Sequence, residues 1–225
     1  MRSTCDLCAA IDPTAGGGPL AKHLRPDRPH IVASTAHAVA VPTIGAFVPG
    51  YLLIVPVTHT TSIGRLPHGQ RLALHTLTAQ LADRLAAIYD SPVLGFEYGL
   101  NAAGARRIEH GHQHLLPSPA AAGLRRYLRS LLPLIEVDSM QELPTGVDRS
   151  YISVYEPGRP LSVYPVANDA QPRIRLREVV ARLDPRVPAD GWDWQQHPCT
   201  DLMRATIDTL AVGHLDRSLT GSVRP

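Results

Sequence analysis

The segment His110-Gly111-His112-Gln113-His114-Leu115-Leu116-Pro117 constrains the fold of this chain more than any other stretch. Side chains in a β-strand alternate faces, so residues two apart share one side and lie roughly 7 Å from each other. The spacing predicts a strand with three imidazoles on one surface, closed by Pro117. Histidine is the side chain whose unperturbed pKa falls near physiological pH, which suits it to nucleophilic attack, proton transfer or metal binding.

What precedes this strand reads as one α+β unit. Residues 9 to 30 are rich in Gly and Pro and read as loop. Ala36–Pro42 is an expected strand, and Tyr51–Val57 a stronger one, bounded by Pro49-Gly50 and Thr58-His59. Pro67 suits the first turn of a long helix in which Leu74, Leu77, Leu81, Leu85 and Ile88 recur at helical spacing. Ser91-Pro92 ends it, Val93–Tyr98 reads as a strand, and a polar loop with Asn101 and Gly104 leads into the histidines.

The rest of the chain differs in character. Ala121–Leu132 reads as helix with its arginines outward, and Tyr151–Tyr155 and Leu161–Tyr164 as strands around a Pro157-Gly158 turn. Leu176, Val179, Val180 and Leu183 mark an amphipathic helix, and Met203, Ile207 and Leu210 a last one. The expected division is a unit of residues 1–118 and a smaller α+β extension, 119–225, packing on it.

A length of 225 residues allows one large domain or a core with an appendage, and 44% hydrophobic content with 19% charged argues for a folded globule. A formal net charge of +2 gives no reason to expect a polyanion-coating protein, so nucleic acid is not an expected partner. The start lacks the apolar core of a secretory signal, and no apolar run approaches a membrane span; a cytoplasmic location is the default expectation. Arginines cluster at Arg106-Arg107, Arg125-Arg126 and Arg173/Arg175/Arg177. Such runs ordinarily cover solvated faces, but they also suit phosphate recognition.

Three cysteines cannot form a closed disulfide set. Cys5 and Cys8 form C-x-x-C, which in a reduced compartment is half a zinc site or a redox pair; with nothing strand-like before Cys5, zinc is favoured. Cys199, beside Pro198 near a helix start, reads as a structural thiol.

Three readings of the histidines follow. They could be a polar cluster on a half-exposed strand, or a mononuclear metal site, although neighbours on one strand rarely converge on one small ion. Or they divide the labour among metal, nucleophile and leaving group. His59, at the end of a strong strand, favours division: Cys5, Cys8, His59 and one strand histidine would complete a tetrahedron. Closed to water, that site would be structural, and could contribute on the order of 10 kcal/mol to folding.

These residues together resemble the histidine triad (HIT) superfamily of nucleotide hydrolases and transferases. The resemblance is carried by Cys5-Asp6-Leu7-Cys8, by Pro49 through His59, by Asn101 through Gly104, and by His110 to Pro117. It implies a HIT-like antiparallel sheet with one long helix, and zinc on Cys5, Cys8, His59 and His110. It implies that His112 attacks the α-phosphorus to form a nucleotidyl-histidine, and that His114 bonds the phosphate and assists the leaving group. Asn101 and backbone amides near Gly104 would hold nonbridging oxygens. A third histidine, where the uridylyltransferase and phosphorylase branches carry glutamine, favours a hydrolase. A transferase or phosphorylase, or a nucleotide-binding module without turnover, are the alternatives. Many HIT proteins dimerise across the sheet, and a homodimer is a further expectation, unless the extra half covers that surface.

The chain also departs from the family pattern. Gly111 and Gln113 replace apolar residues, Arg106 stands where a glutamine is frequent, and Thr43 aligns with an acidic residue that many members place on the ribose hydroxyls. The second half resembles C-terminal extensions of some bacterial HIT-like proteins, through the 151–164 hairpin, Arg175-Leu176-Arg177, Trp192-Asp193-Trp194 and Arg204 to Ile207. Arg175, Arg177 or Arg204 could then reach a distal phosphate or acidic group, with Trp192 and Trp194 as packing anchors. The partner implied is a small nucleotide or related phosphate compound.

Overall fold

The computed structural model describes residues 5–12, 22–24, 30–100, 110–145, 150–166, 174–188 and 190–211. In chain order its elements are α1 (Asp6–Ile11), β1 (Ala33–Ser34), β2 (Ala38–Pro42), β3 (Leu52–Pro56), α2 (His68–Tyr89), β4 (Val93–Gly99) and β5 (Gln113–Pro117). They continue with α3 (Ala121–Arg129), β6 (Ile135–Val137), β7 (Ser150–Tyr155), β8 (Leu161–Val166), α4 (Leu176–Leu183) and α5 (Thr200–Ala211). The strands form one sheet of order β1-β2-β3-β5-β4-β7-β8-β6, antiparallel throughout. The fold is α+β, and β7, β8 and β6 extend the sheet at the β4 edge. No helix among the described residues is long and apolar enough to cross a membrane.

Helix α2 covers one face. Leu74, Leu77, Leu81 and Leu85 are buried against Leu52, Ile54 and Leu115, whereas Ile88, in the last turn of the same stripe, is 40% exposed. Pro67 sits one place before the helix, and its carbonyl accepts the N–H groups of Gln70 and Arg71. Asp90 ends the helix in the left-handed region at φ 44°, and Pro92 cannot resume it. On the opposite face, α1 seats Leu7 and Ile11 on Val39, Val41, Leu53 and Val55. There too α3 and α4 cover Phe96, Leu116, Ile152 and Val154.

The histidine strand is shorter than the alternation predicts. Pairing begins at Gln113, so His110 and His112 precede the ladder. The cause is Gly111, whose N–H bonds the Thr60 carbonyl at 2.6 Å and whose missing side chain lets the backbone lie on Ser62. A Cβ there would stand 2.8 Å from the Ser62 main chain, which explains glycine at a position where the family pattern has an apolar residue. Gln113 is likewise explained: it points to the α2 face, where its Oε1 accepts from Thr78 Oγ1 at 2.8 Å. The arginines of α3 are not all outward either. The Arg125 side chain is only 12% exposed and pairs with Glu156 at 2.8 Å.

Candidate active site and metal centre

Four metal-binding side chains come together at one end of the sheet. Cys5 caps α1 and Cys8 lies one turn on, which presents both thiols from a helix anchored by Leu7 and Ile11. His59 follows β3, and His110 precedes β5. His110 Nδ1 lies 3.7 Å from Cys5 Sγ and 3.4 Å from Cys8 Sγ, and His59 Nδ1 lies 3.3 Å from Cys8 Sγ. All four donor atoms fall within 4.8 Å of one another, close enough to bind one metal ion. A tetrahedral ion with thiolate and imidazole ligands has a sulfur–nitrogen edge of about 3.5 Å, so the donors fit. His110 Nε2 donates to the Pro56 carbonyl at 2.9 Å, which turns the Nδ1 lone pair toward the thiols. Burial pushes His110 down to about 4, so the ring is neutral at pH 7, as a ligand must be. Burial, then the neighbouring Cys5, pushes the Cys8 thiol up to about 11, a cost that a bound cation would reverse.

The next two histidines open on a cavity of about 1010 Å³ on the face away from α2. His112 Nδ1 donates to the His110 carbonyl at 2.7 Å, which leaves Nε2 as the ring nitrogen with a lone pair. His114 lies opposite Leu53 and Phe96 in the ladder, stacked on the Phe96 ring at 4.5 Å and tilted to His112 at 4.9 Å. Its Nδ1 meets the Tyr51 hydroxyl at 2.9 Å. Burial first, then nearby positive charge, lowers both: His112 below its ordinary value and His114 well below it. Both rings are therefore held as neutral bases, half-buried at the cavity wall.

The second half of the chain supplies the cavity's far wall. Arg177, at the start of α4, lines the cavity; it donates to the Gly45 carbonyl and lies over the rings of Phe47 at 5.4 Å and Tyr51 at 5.2 Å. Gly45, at φ 69°, has Trp194 where a side chain would project, so this approach needs glycine. Trp192, under the Arg175 guanidinium at 5.5 Å, and Trp194 join this wall, so they line the cavity as well as pack. Arg204 is not part of it: it donates to the His23 carbonyl at 3.1 Å. Thr43 is 5% exposed at the cavity wall and its hydroxyl bonds the Ile44 carbonyl, so a neutral group stands where the family pattern has an acid. Asn101, Gly104 and Arg106 lie outside the described residues.

Two buried polar groups escape the sequence reading. Tyr51 is fully buried beside His114. The one available signal was its place two residues before Leu53, on the face that pairing gives to His114. Glu97 is fully buried on the α2 side, where it accepts from the Ile63 N–H at 2.7 Å and the Tyr151 hydroxyl at 2.8 Å; burial pushes it up to about 7. An acidic residue within an apolar strand was the only hint of it.

No protein-family model and no curated protein matches the chain. Among solved structures it is similar to a HIT family protein from Bacillus anthracis, at 19% identity and a TM-score of 0.40, over 52% of this chain and 74% of that one. It is similar to a hypothetical protein from Leishmania major, at 18% identity and a TM-score of 0.39, over 58% of this chain and 98% of that one. A further similar structure is yeast Ap4A phosphorylase in complex with AMP, at 11% identity and a TM-score of 0.38, over 63% of this chain and 61% of that one. The chain thus folds as an antiparallel α+β sheet, and the solved structures similar to it include a HIT family protein.

Proposed function

We propose that this protein hydrolyses a nucleotide or related phosphate compound at its α-phosphorus through a covalent intermediate on His112. The observation that carries this reading is the tautomer of His112. With Nδ1–H on the His110 carbonyl and the ring kept neutral by burial, the Nε2 lone pair is the available nucleophile beside the cavity. In the first step an Nε2–phosphorus bond forms as the bond from phosphorus to the leaving group breaks. His114, next along the row and neutral, supports the departing atom by donating a hydrogen bond to it. In the second step water attacks phosphorus, the N–P bond breaks with its electron pair returning to Nε2 to restore neutral His112, and the proton lost by the water leaves to solvent.

Zinc is the metal best suited to two thiols and two imidazoles in a closed tetrahedron. Cys5, Cys8, His59 and His110 would hold it with no open coordination position, so its contribution would be structural: a bound ion would fix His110, whose carbonyl accepts from His112 Nδ1. Asn101 and the backbone amides near Gly104 are proposed to hold nonbridging oxygens, on the resemblance alone, and Arg106, where the family pattern has glutamine, to belong to an altered phosphate site. Thr43 and Arg177 are proposed to contact the rest of the substrate from the cavity wall.

The reading is tested by assaying a panel of small nucleotides with the wild type and His112→Ala, and by intact-mass detection of a phosphorus adduct. Full turnover in the variant removes the mechanism. Product analysis with and without inorganic phosphate separates hydrolysis from transfer. Tight binding with neither adduct nor turnover would identify a binding module instead.

A further inference from the structure

His114 does not stand alone at the cavity. Its Nδ1 meets the Tyr51 hydroxyl at 2.9 Å, Phe96 stacks on its face, and the Arg177 guanidinium lies over the Tyr51 ring at 5.2 Å. Arg177 is itself held from several sides. It donates to the carbonyls of Gly45 and Trp192 and lies over two aromatic rings. Histidine, tyrosine and arginine therefore form a chain of contacts from β5 through β3 to α4, joining the two halves of the protein.

The direction of the hydrogen bonds along this chain follows from what each group can offer. A guanidinium only donates, so Arg177 offers the Tyr51 hydroxyl no acceptor. Tyr51 has one proton and is fully buried, where an unused donor costs on the order of 1–3 kcal/mol. The one acceptor that the hydroxyl meets among the described contacts is His114 Nδ1. If His114 donated from Nδ1 instead, the phenol would accept and its own proton would be stranded.

We propose that Tyr51, oriented by Arg177, locks His114 as the tautomer protonated on Nε2, so that the third histidine meets the substrate as a neutral N–H donor. Tyr51 and Arg177 are positioning residues, and the C-terminal half thereby completes a site whose histidines all come from the first half. The lock complements His112. There Nδ1 carries the proton and donates to a carbonyl, leaving Nε2 as a lone pair; in His114 Nδ1 accepts and Nε2 carries the proton. Two adjacent imidazoles of one residue type are set as nucleophile and donor by opposite Nδ1 contacts. The catalytic consequence rests on the hydrolase reading above; the tautomer does not.

The test is nitrogen-15 NMR of the imidazoles in the metal-loaded full-length protein without substrate. The expected wild-type signature is His114 protonated on Nε2 with a hydrogen-bonded, unprotonated Nδ1. Tyr51→Phe, which keeps the buried ring and removes only the hydroxyl, is expected to give a tautomer mixture. It should also slow His112 adduct formation roughly 10- to 100-fold, the usual cost of losing an orienting partner, with ligand affinity held within about two-fold. Arg177→Gln should give the same tautomer mixture in the wild type and change the tautomer little further in the Tyr51→Phe background, because both act on His114 through the Tyr51 hydroxyl; any loss of affinity reports the contact of Arg177 with substrate. An Nδ1-protonated His114 in the wild type, or an unchanged tautomer in Tyr51→Phe, overturns the proposal. An unchanged His114 tautomer in Arg177→Gln overturns its positioning role. The expected tautomers in a protein that never forms an adduct would uphold the lock while defeating the hydrolase reading.

Discussion

His114 and Glu97 lie on neighbouring strands, one register step apart, on opposite faces of the same sheet. Burial moves both from their ordinary titration ranges, His114 down and Glu97 up to about 7. Their surroundings differ in one respect. Glu97 is closed off beneath the α2-side core with its oxygens on Ile63 and Tyr151, whereas His114 keeps one ring nitrogen beside a large cavity. A perturbed titratable group is common to structural networks and to active sites alike; access to a ligand separates the two.

The comparison can be broken at several points, and the metal cluster promises the largest effect. Cys8→Ser or prolonged chelation should lower stability on the order of 10 kcal/mol, seen as a large fall in Tm, and elemental analysis should find one metal ion per chain. A metal-free protein with an unchanged Tm would sink the four-ligand assignment. His112→Ala comes next, with an expected loss of turnover on the order of 10³-fold and no adduct, while Tm changes little. If the two faces differ as argued, Glu97→Gln should leave turnover alone and change only the stability profile.

That profile has a definite sign. The folded-state pKa of Glu97 lies above its unfolded value, so its contribution is full below about pH 4.5 and is lost as pH rises through about 7. His110 behaves in the opposite way: its folded value, about 4, lies below 6.5, so stability is present above pH 6.5 and lost as pH falls toward 4. Denaturant titrations across this range should show Glu97→Gln removing the alkaline decline, on the order of 3 kcal/mol, and leaving the acid decline in place. An alkaline limb that persists in the variant would show that Glu97 is not its source. The smallest effect is expected at Gly111→Ala, where the added methyl must displace the Ser62 backbone at a cost of about 1–3 kcal/mol. Because that backbone step fixes His110 and His112 ahead of the ladder, adduct formation should slow along with the loss of stability.

The sequence made much of this legible, and the missing parts share a cause. The long helix, the 150–166 hairpin and the last two helices follow from apolar spacing and turn residues, because those signals are local. Cys5, Cys8, His59 and His110 could be grouped through a family pattern, and the fold brings their donor atoms together. Tyr51, Glu97 and the purpose of Gly111 were not legible, because each depends on register: which strand lies beside which, and which face is turned where. Arg177 could be named as a candidate from its cluster, but its place over the Tyr51 ring requires the start of α4 to come beside the residue that leads into β3, which no local pattern encodes.

The junction at which β7 pairs with β4 carries a consequence for how the protein is made. Until β7 emerges from the ribosome, β4 presents an apolar, unpaired edge whose hydrogen-bonding groups can recruit another chain. Meanwhile β5 must insert between β3 and β4, two strands separated in sequence by the whole of α2, which makes the ladder slow to close. Vectorial synthesis therefore passes through a stage in which the histidines exist but the sheet around them is open on one side. Aggregation during expression should be greatest for fragments that stop between β5 and β7.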